Sequence, residues 1–407
     1  IHFVGIGGIG MSGIAEVLAN MGCQVTGSDL ARNSQVERLE AMGVQIAKGH
    51  DRKNIPAECD VVVFSSAVKQ DNPEIVESRR RHIPIIQRAE MLAQLMRLKR
   101  GIAIGGSHGK TTTTSMVAAL MLANQMDPTI VVGGRLDLIK STAALGKGEW
   151  LVAEADESDG SFLSLSPEIV VVTNIDNDHL DHFKTFDGLV KAFESFAGRI
   201  PFFGCAVLCA DDPHVRHLSD RFGKRQLTYG FDASARLTAK NVKTKGTGQE
   251  YDAYLDNQKL GRIELQVPGL HNVLNSLACV GVGLELKLDF ANIALGIKSY
   301  RGVDRRLQMR GEFQGALIID DYGHHPTEVA ATLSALKQIY PTRRLVVAFQ
   351  PHRFSRTQMC WDQFLKCFSQ ADVVGVIDIY PAGENPIADV SSARLAGEIA
   401  KQHTKSE

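Results

Sequence analysis

RGIAIGGSHGKTTTTS, residues 100–115, decides the fold. A short apolar run ends in glycines, and Gly-Lys-Thr then opens a stretch with no helix breaker. That is a strand, a tight loop and a helix start in immediate succession. Backbone N–H groups at such a helix N-terminus point outward and favour anions, so phosphate oxygens are the natural ligand. A strict phosphate loop carries glycine five positions before the Gly-Lys pair, and here that position is Ile104. The loop is therefore the shorter Gly106-Ser107-His108-Gly109-Lys110-Thr111, with Thr112 behind it. Lys110 supplies a point charge for the phosphates, and Thr111 a hydroxyl for a metal ion.

Working outward, IHFVGI, QVTGSD, DVVVFSS and HIPIIQR read as strands alternating with helical stretches, which is βαβ architecture with a parallel sheet. Gly5, Gly7 and Gly10 stand in G-x-G-x-x-G spacing between the first strand and helix, with Asp29 beyond them. Glycines there permit close approach of backbone to a pyrophosphate, and the acid suits a ribose hydroxyl. Read alone, this cluster names NAD first, although any diphosphate-linked nucleotide, or an ordinary tight turn, fits the same pattern. WLVAEAD and EIVVVTNID continue the series around the phosphate loop. Between 224 and 268 four short alternating strands read as an antiparallel appendage. ALIIDD, RRLVVAFQ and ADVVGVID form a third series near the end. The expected fold is α/β in three domains, divided at about 88 and 302. They are a Rossmann-like domain (1–88), a central P-loop domain with an antiparallel appendage (89–301) and a C-terminal Rossmann-like domain (302–407). Three strands are few for the last, and the expectation is that it is cut short.

A 407-residue chain with 44% hydrophobic and 22% charged residues can bury several cores. Its net charge of −1 excludes a global field for nucleic acid but not a local anion site. The seven cysteines show no zinc-ligand spacing and read as inert thiols of a reducing, cytoplasmic compartment. No apolar run approaches the roughly 20 residues that span a bilayer.

Downstream of each strand sit polar groups that face a ligand in open parallel sheets. Glu154 closes WLVAE, and Asp156, Glu157 and Asp159 follow; Asn174, Asp176, Asp178 and His179 trail the next strand. Of these, Glu154 and His179 are the favoured metal ligands, the other carboxylates reading as solvated or capping. His271, Asn272 and Asn275 open a helix, where Asn either reads an adenine edge or merely caps. In DDYGHHP, Tyr322, His324 and His325 are expected to be exposed beyond a strand. In FQPHRFSRT, Arg353 and Arg356 are spaced to share one side of a helical turn and fork onto a carboxylate.

Taken in order, Gly106–Thr112, EADESDGSF, TNIDNDHLDHF, PGLHNVLN, DDYGHHPTEV and FQPHRFSRT resemble the bacterial Mur ligases of peptidoglycan synthesis over essentially the whole chain. The resemblance implies ATP and magnesium, with UDP-N-acetylmuramate and L-alanine as substrates; a whole tripeptide in place of alanine is the neighbouring alternative. It moves the first glycine cluster from NAD to UDP and makes Gly7, Met11, Ser12, Asp29, His50, Ser65 and Arg88 its site. It places Lys110 on the phosphates, Thr111, Glu154 and His179 at magnesium, and Asn272, Asn275 and Arg306 on ATP. Tyr322, His324, Arg353 and Arg356 become the amino-acid pocket, with His324 or His179 the general base. Several relatives carry a carbamylated lysine where this chain has Glu194, so that position departs from the pattern. Three substrates on three domains further imply a closing movement before chemistry.

Overall fold

The first sheet forms around Phe3 and Val4, both fully buried. Its strands are β1 (His2–Val4), β2 (Thr26–Asp29), β3 (Gln45–Lys48), β4 (Val62–Phe64) and β5 (Ile85–Gln87). All pair in parallel, in the order β3-β2-β1-β4-β5. Helices α1 (Ile9–Asn20), α2 (Ser34–Ala41) and α3 (Pro73–Arg80) supply crossovers within it, and α4 (Arg88–Arg97) leads from β5 on toward the second sheet. Strand order reverses beside β1, so a crevice opens between the carboxyl ends of β1 and β4. Gly22, at φ +88°, ends the α1 turn in a conformation that favours glycine.

The second sheet is built on β6 (Arg100–Gly105), five of whose six residues are buried. It continues through β7 (Thr129–Leu136), β8 (Ser141–Ala144), β9 (Trp150–Glu154), β10 (Ile169–Val172), β11 (Cys205–Cys209) and β12 (Gln226–Gly230). Their order is β12-β11-β10-β6-β9-β7-β8, parallel throughout except for the β7–β8 hairpin. Helix α5 (Lys110–Ala123) follows β6 and is buried on every side from Thr112 to Met121. QLTYG, expected in the antiparallel appendage, is instead parallel to β11. A helix at Pro213–Arg221 carries the chain back across the sheet, which a parallel neighbour requires. Leu237–Lys245, Gly248–Leu255 and Gln258–Leu265 are the remaining short strands of that segment.

The computed structural model describes residues 1–65 and 67–403, which divide into two units. One contains residues 1–65, 67–240, 252–263 and 274–304, and the other 241–251, 264–273 and 305–403. In the second unit Gln308–Phe313 and Ala316–Asp320 form an antiparallel hairpin turning at Gln314 and Gly315, both at positive φ. Val346–Phe349 and Val373–Val376 pair in parallel, packed on a core of Leu333, Phe349, Phe364, Phe368 and Leu395. The first hairpin strand was missed because its residues are nearly all exposed and carry no apolar alternation.

Within the first unit, α1 joins the two sheets. Gly13 lies against Ala143 of β8, where an added Cβ would come within 3.1 Å. One turn on, the buried Glu16 accepts from Arg38 of α2 at 2.7 Å and from the Ser141 hydroxyl at 2.8 Å. Removing one partner of a buried charged pair leaves the others unsatisfied, at about 1–3 kcal/mol. Glu16→Ala is accordingly expected to lower the unfolding free energy of this unit by that amount in urea titration; an unchanged midpoint would contradict the role.

Candidate active site

The phosphate loop leaves β6 with Gly106 at φ +127° and reaches α5 through Gly109 at φ +82°. Side chains beyond glycine are excluded at both places. A Cβ on Gly106 would lie 2.0 Å from the Thr173 hydroxyl, and one on Gly109 2.6 Å from Asn275 Oδ1. The loop is braced from β10: the Thr173 hydroxyl donates to His108 O at 2.6 Å. Asn174 Oδ1 accepts from His108 N at 2.8 Å, and its amide donates to His108 O at 3.0 Å. Ser107 N donates to Asn174 O, and the Ser107 hydroxyl accepts from Asp176 N. His108 Nε2 meets Asp176 at 2.9 Å.

Lys110 Nζ donates to Gly106 O at 2.6 Å, Ser107 O at 3.0 Å and Glu157 Oε1 at 2.9 Å. Burial pushes its ammonium down, but Glu157, Glu154 and Asp156 outweigh that and hold it above its ordinary value. Burial, opposed by Lys110 and reinforced by Asp156, pushes the Glu157 carboxyl up to about 7. Glu157 is 1% exposed, so its reading as a solvated carboxylate was wrong. Spacing hid this, because Glu157 lies beyond the strand, where no alternation tells inside from outside. Thr111 donates to Glu154 Oε2 at 2.9 Å, and Gly133 N donates to the same oxygen at 2.9 Å. His179, at φ +57°, stands with Nε2 4.0 Å from Glu157 and 3.6 Å from Asp178. Thr111 with Glu154, and Glu157 with Lys110 and His179, thus form two sets of contacts at the carboxyl ends of β6, β9 and β10. Thr112 is buried behind them. Glu194 pairs with Arg221.

At the first sheet's crevice, Gly7 N donates to Asp29 Oδ2 at 2.8 Å, and Ala31 N to Asp29 Oδ1 at 3.0 Å. The carboxylate read as a ribose partner therefore also braces the glycine turn. Met11 and Ser12 are buried in the first turn of α1, with the Ser12 hydroxyl on Ile9 O. Ser65 accepts from Ala67 N just after β4, and Gly5 packs on it. Arg88 lies beside Gly10 and reaches Asp156 at 3.2 Å. Burial pushes the Asp156 carboxyl up, yet Arg88 and Lys110 hold it below its ordinary value. His50 follows β3 and meets the Ser28 hydroxyl at 3.0 Å.

In the second unit, Asn272 donates to Pro268 O at 2.7 Å, and Arg306 reaches Glu328 at 3.4 Å and lies over the Tyr322 ring. Tyr322 is exposed and meets the His324 ring edge-on at 5.1 Å. His324 Nδ1 lies 3.0 Å from Tyr322 O and 3.6 Å from Glu328. His325, expected to be exposed, is fully buried: it caps the helix Pro326–Ile339, and its Nε2 lies 3.5 Å from Cys360 Sγ. Arg353 and Arg356 do not share a helical face. Arg353 precedes the helix Phe354–Met359 at φ +72°, whereas Arg356 is buried with Nη1 3.2 Å from His352 Nδ1. Spacing of three places two side chains on one face only where both residues are helical, and Arg353 stands outside the helix.

A glycine loop closed on a lysine, carboxylates from a flanking strand and a second nucleotide-type crevice define an α/β protein of the phosphate-loop class. Three Mur ligase models match it in succession: the "Mur ligase family, catalytic domain" over residues 1–100, the "Mur ligase middle domain" over 104–283 and the "Mur ligase, glutamate ligase domain" over 305–407. The chain belongs to the Mur ligase family. It is 54% identical over 405 residues to the UDP-N-acetylmuramate–L-alanine ligase of Bdellovibrio bacteriovorus, covering 99% of this chain and 89% of that protein. To the Geobacter sulfurreducens ligase of the same name it is 54% identical over 402 residues, covering 98% and 87%. The solved UDP-N-acetylmuramate-alanine ligase of Thermotoga maritima superposes with a TM-score of 0.82 at 28% identity, covering 100% of this chain and 99% of that one. A murein peptide ligase of Psychrobacter arcticus shares the fold, with a TM-score of 0.76 at 21% identity over 99% and 88%.

Burial, with Arg306 second, pushes the His271 imidazole down to about 4. The folded ring stays neutral while the unfolded one takes up a proton below about pH 6.5. Stability present above that pH is therefore lost as pH falls toward the folded value. His271→Gln should shrink the difference in unfolding midpoint between pH 7 and pH 4.5; an undiminished difference would refute this.

Proposed function

We propose that the chain joins L-alanine to the lactyl carboxylate of UDP-N-acetylmuramate, consuming ATP and releasing ADP and phosphate in peptidoglycan precursor synthesis. The observation that carries this reading is the phosphate loop with Lys110 on Glu157 and Thr111 on Glu154, in a chain 99% covered by its match to a ligase of that name. Residues 1–88 would hold the UDP sugar, 89–301 ATP, and 302–407 the amino acid together with part of ATP. Nicotinamide then has no part in the glycine turn.

A carboxylate is a poor electrophile, so it accepts the γ-phosphoryl group first and the amine displaces phosphate from the resulting acyl phosphate. Lys110, already held among carbonyl oxygens and Glu157, offsets the charge on the transferring group. Asn272, Asn275 and Arg306 are assigned to the rest of ATP. The Thr111 hydroxyl and the Glu154 carboxylate, in contact at 2.9 Å, fit magnesium, which prefers oxygen and keeps waters, and His179 is assigned to the same ion. When bound, the ion would neutralise phosphate charge. Arg353 and Arg356 are assigned to the amino-acid carboxylate, beside Tyr322 and His324. The amine must lose a proton, for which His324 and His179 are the assigned bases. Seven free thiols suit work in the reducing cytoplasm, and no helix among the described residues is long and apolar enough to cross a membrane.

ADP release is measured with UDP-N-acetylmuramate and, in turn, L-alanine, glycine, L-serine or the tripeptide. L-Alanine is expected to give the highest kcat/KM; turnover with the tripeptide alone would overturn the reading. Lys110→Ala should cut ADP formation by about 10²–10³-fold or more while leaving the Kd of the nucleotide sugar within about twofold. Loss of both would sink the division of labour.

A further inference from the structure

Glu74 is a fully buried carboxylate at the start of α3, far from the phosphate loop in sequence. Every group around it donates. The Ser28 hydroxyl lies at 2.6 Å, Asn54 Nδ2 at 2.7 Å, Asp51 N at 3.2 Å and His2 Nε2 at 3.4 Å. Burial pushes the Glu74 carboxyl up, yet hydrogen bonds from His2, Ser28 and Asn54 outweigh that and hold it below its ordinary value. It is therefore an acceptor at neutral pH.

That charge fixes a proton elsewhere. A serine hydroxyl has one hydrogen, and the Ser28 hydrogen goes to Glu74. Ser28 Oγ can then only accept from His50 Nδ1 at 3.0 Å. His50 must carry a proton on Nδ1, and in that tautomer Nε2 is left as the acceptor. Glu74 also holds the chain that carries His50, through Asp51 N and through Asn54, whose amide donates to Gly49 O at 3.0 Å as well. On the other side, Ser28 O accepts from Gly5 N at 2.9 Å and Ile6 N at 3.0 Å, which anchors the glycine turn.

We propose that Glu74 is a positioning residue of the nucleotide-sugar site: through Ser28 it sets the tautomer of His50, and through Asn54 and Asp51 it holds the loop on which His50 sits. The proposal rests on the assignment of His50 to the UDP-sugar site. Its consequence is chemical: His50 offers an acceptor to a ligand N–H or O–H, and loses that definition when the relay is cut.

The test uses the full chain with selectively ¹⁵N-labelled histidine, together with steady-state kinetics. In the wild type the His50 ring is expected to show a protonated Nδ1 and an unprotonated Nε2. Ser28→Ala removes the acceptor and should abolish that single tautomer. Glu74→Gln and Asn54→Ala should each raise KM for UDP-N-acetylmuramate by about tenfold or more, with kcat and the KM values of ATP and L-alanine within about twofold. Asn54→Ala keeps the question answerable if Glu74→Gln does not fold. A protonated Nε2 in the wild type, or a loss confined to kcat and thermal stability in the variants, overturns the proposal. If His50→Ala itself leaves the nucleotide-sugar KM unchanged, the site assignment has failed, and the proposal falls with it for that separate reason.

Discussion

The ammonium of Lys110 must be satisfied in a place from which water is largely excluded, and the central site is arranged around that demand. A buried charge is tolerated only when paired and hydrogen-bonded. Two loop carbonyls and Glu157 do this. Carbonyls turn inward only if the loop curls tightly, which places Gly106 and Gly109 at positive φ, with Thr173 and Asn174 just beyond β10 against the first and Asn275 against the second. Glu157 in turn has to follow β9 closely, and β9 must lie directly beside β6. The strand order is thus coupled to one charge.

The same logic explains how much could be read from sequence. Strands β1 and β4 of the first sheet and the core strands β6, β9 and β10 announce themselves by apolar runs, because strands buried on both faces need nothing polar, whereas β3, half exposed and reading QIAK, carries no such run and escaped. The phosphate loop is legible because glycine, lysine and threonine each have a separate physical task within a few residues. Glu154 is legible because it ends a strand pointing at that loop. What escaped was set by contacts remote in sequence. Glu157 and Asp156 differ from Asp159 only in what Lys110 and Arg88 bring to them. His325 is buried because Pro326 starts a helix beneath it, while His324 next door is not. Arg356 turns onto His352 because the chain bends at Arg353, and no spacing rule encodes that bend.

Asp29 and Glu74 show that a carboxylate in a nucleotide-type crevice can have structure as its first task. Asp29 spends both oxygens on backbone N–H groups of the glycine turn and the segment beyond β2. Glu74 collects donors from three separate stretches of chain. Asp29 lies where a glycine-rich turn leaves backbone groups without strand partners, and buried backbone polar groups must find some partner, whereas Glu74 gathers mainly side-chain donors. A fingerprint that counts glycines and one acid therefore reports the scaffold as much as the ligand. This is why the spacing alone pointed to NAD in a chain of the Mur ligase family.

Rigidity is distributed accordingly. Helix α1 presents its first turn to the crevice, packs Gly13 on β8 and anchors Glu16 between Arg38 and Ser141. Arg88 adds a link from the end of the first sheet to Asp156, two residues beyond Glu154. The crevice and the phosphate loop are therefore connected through α1 and through Arg88, by groups that would each be left buried or charged without a partner if the sheets separated. Within this unit, the glycine turn at one sheet is thereby held in fixed register with the phosphate loop at the other.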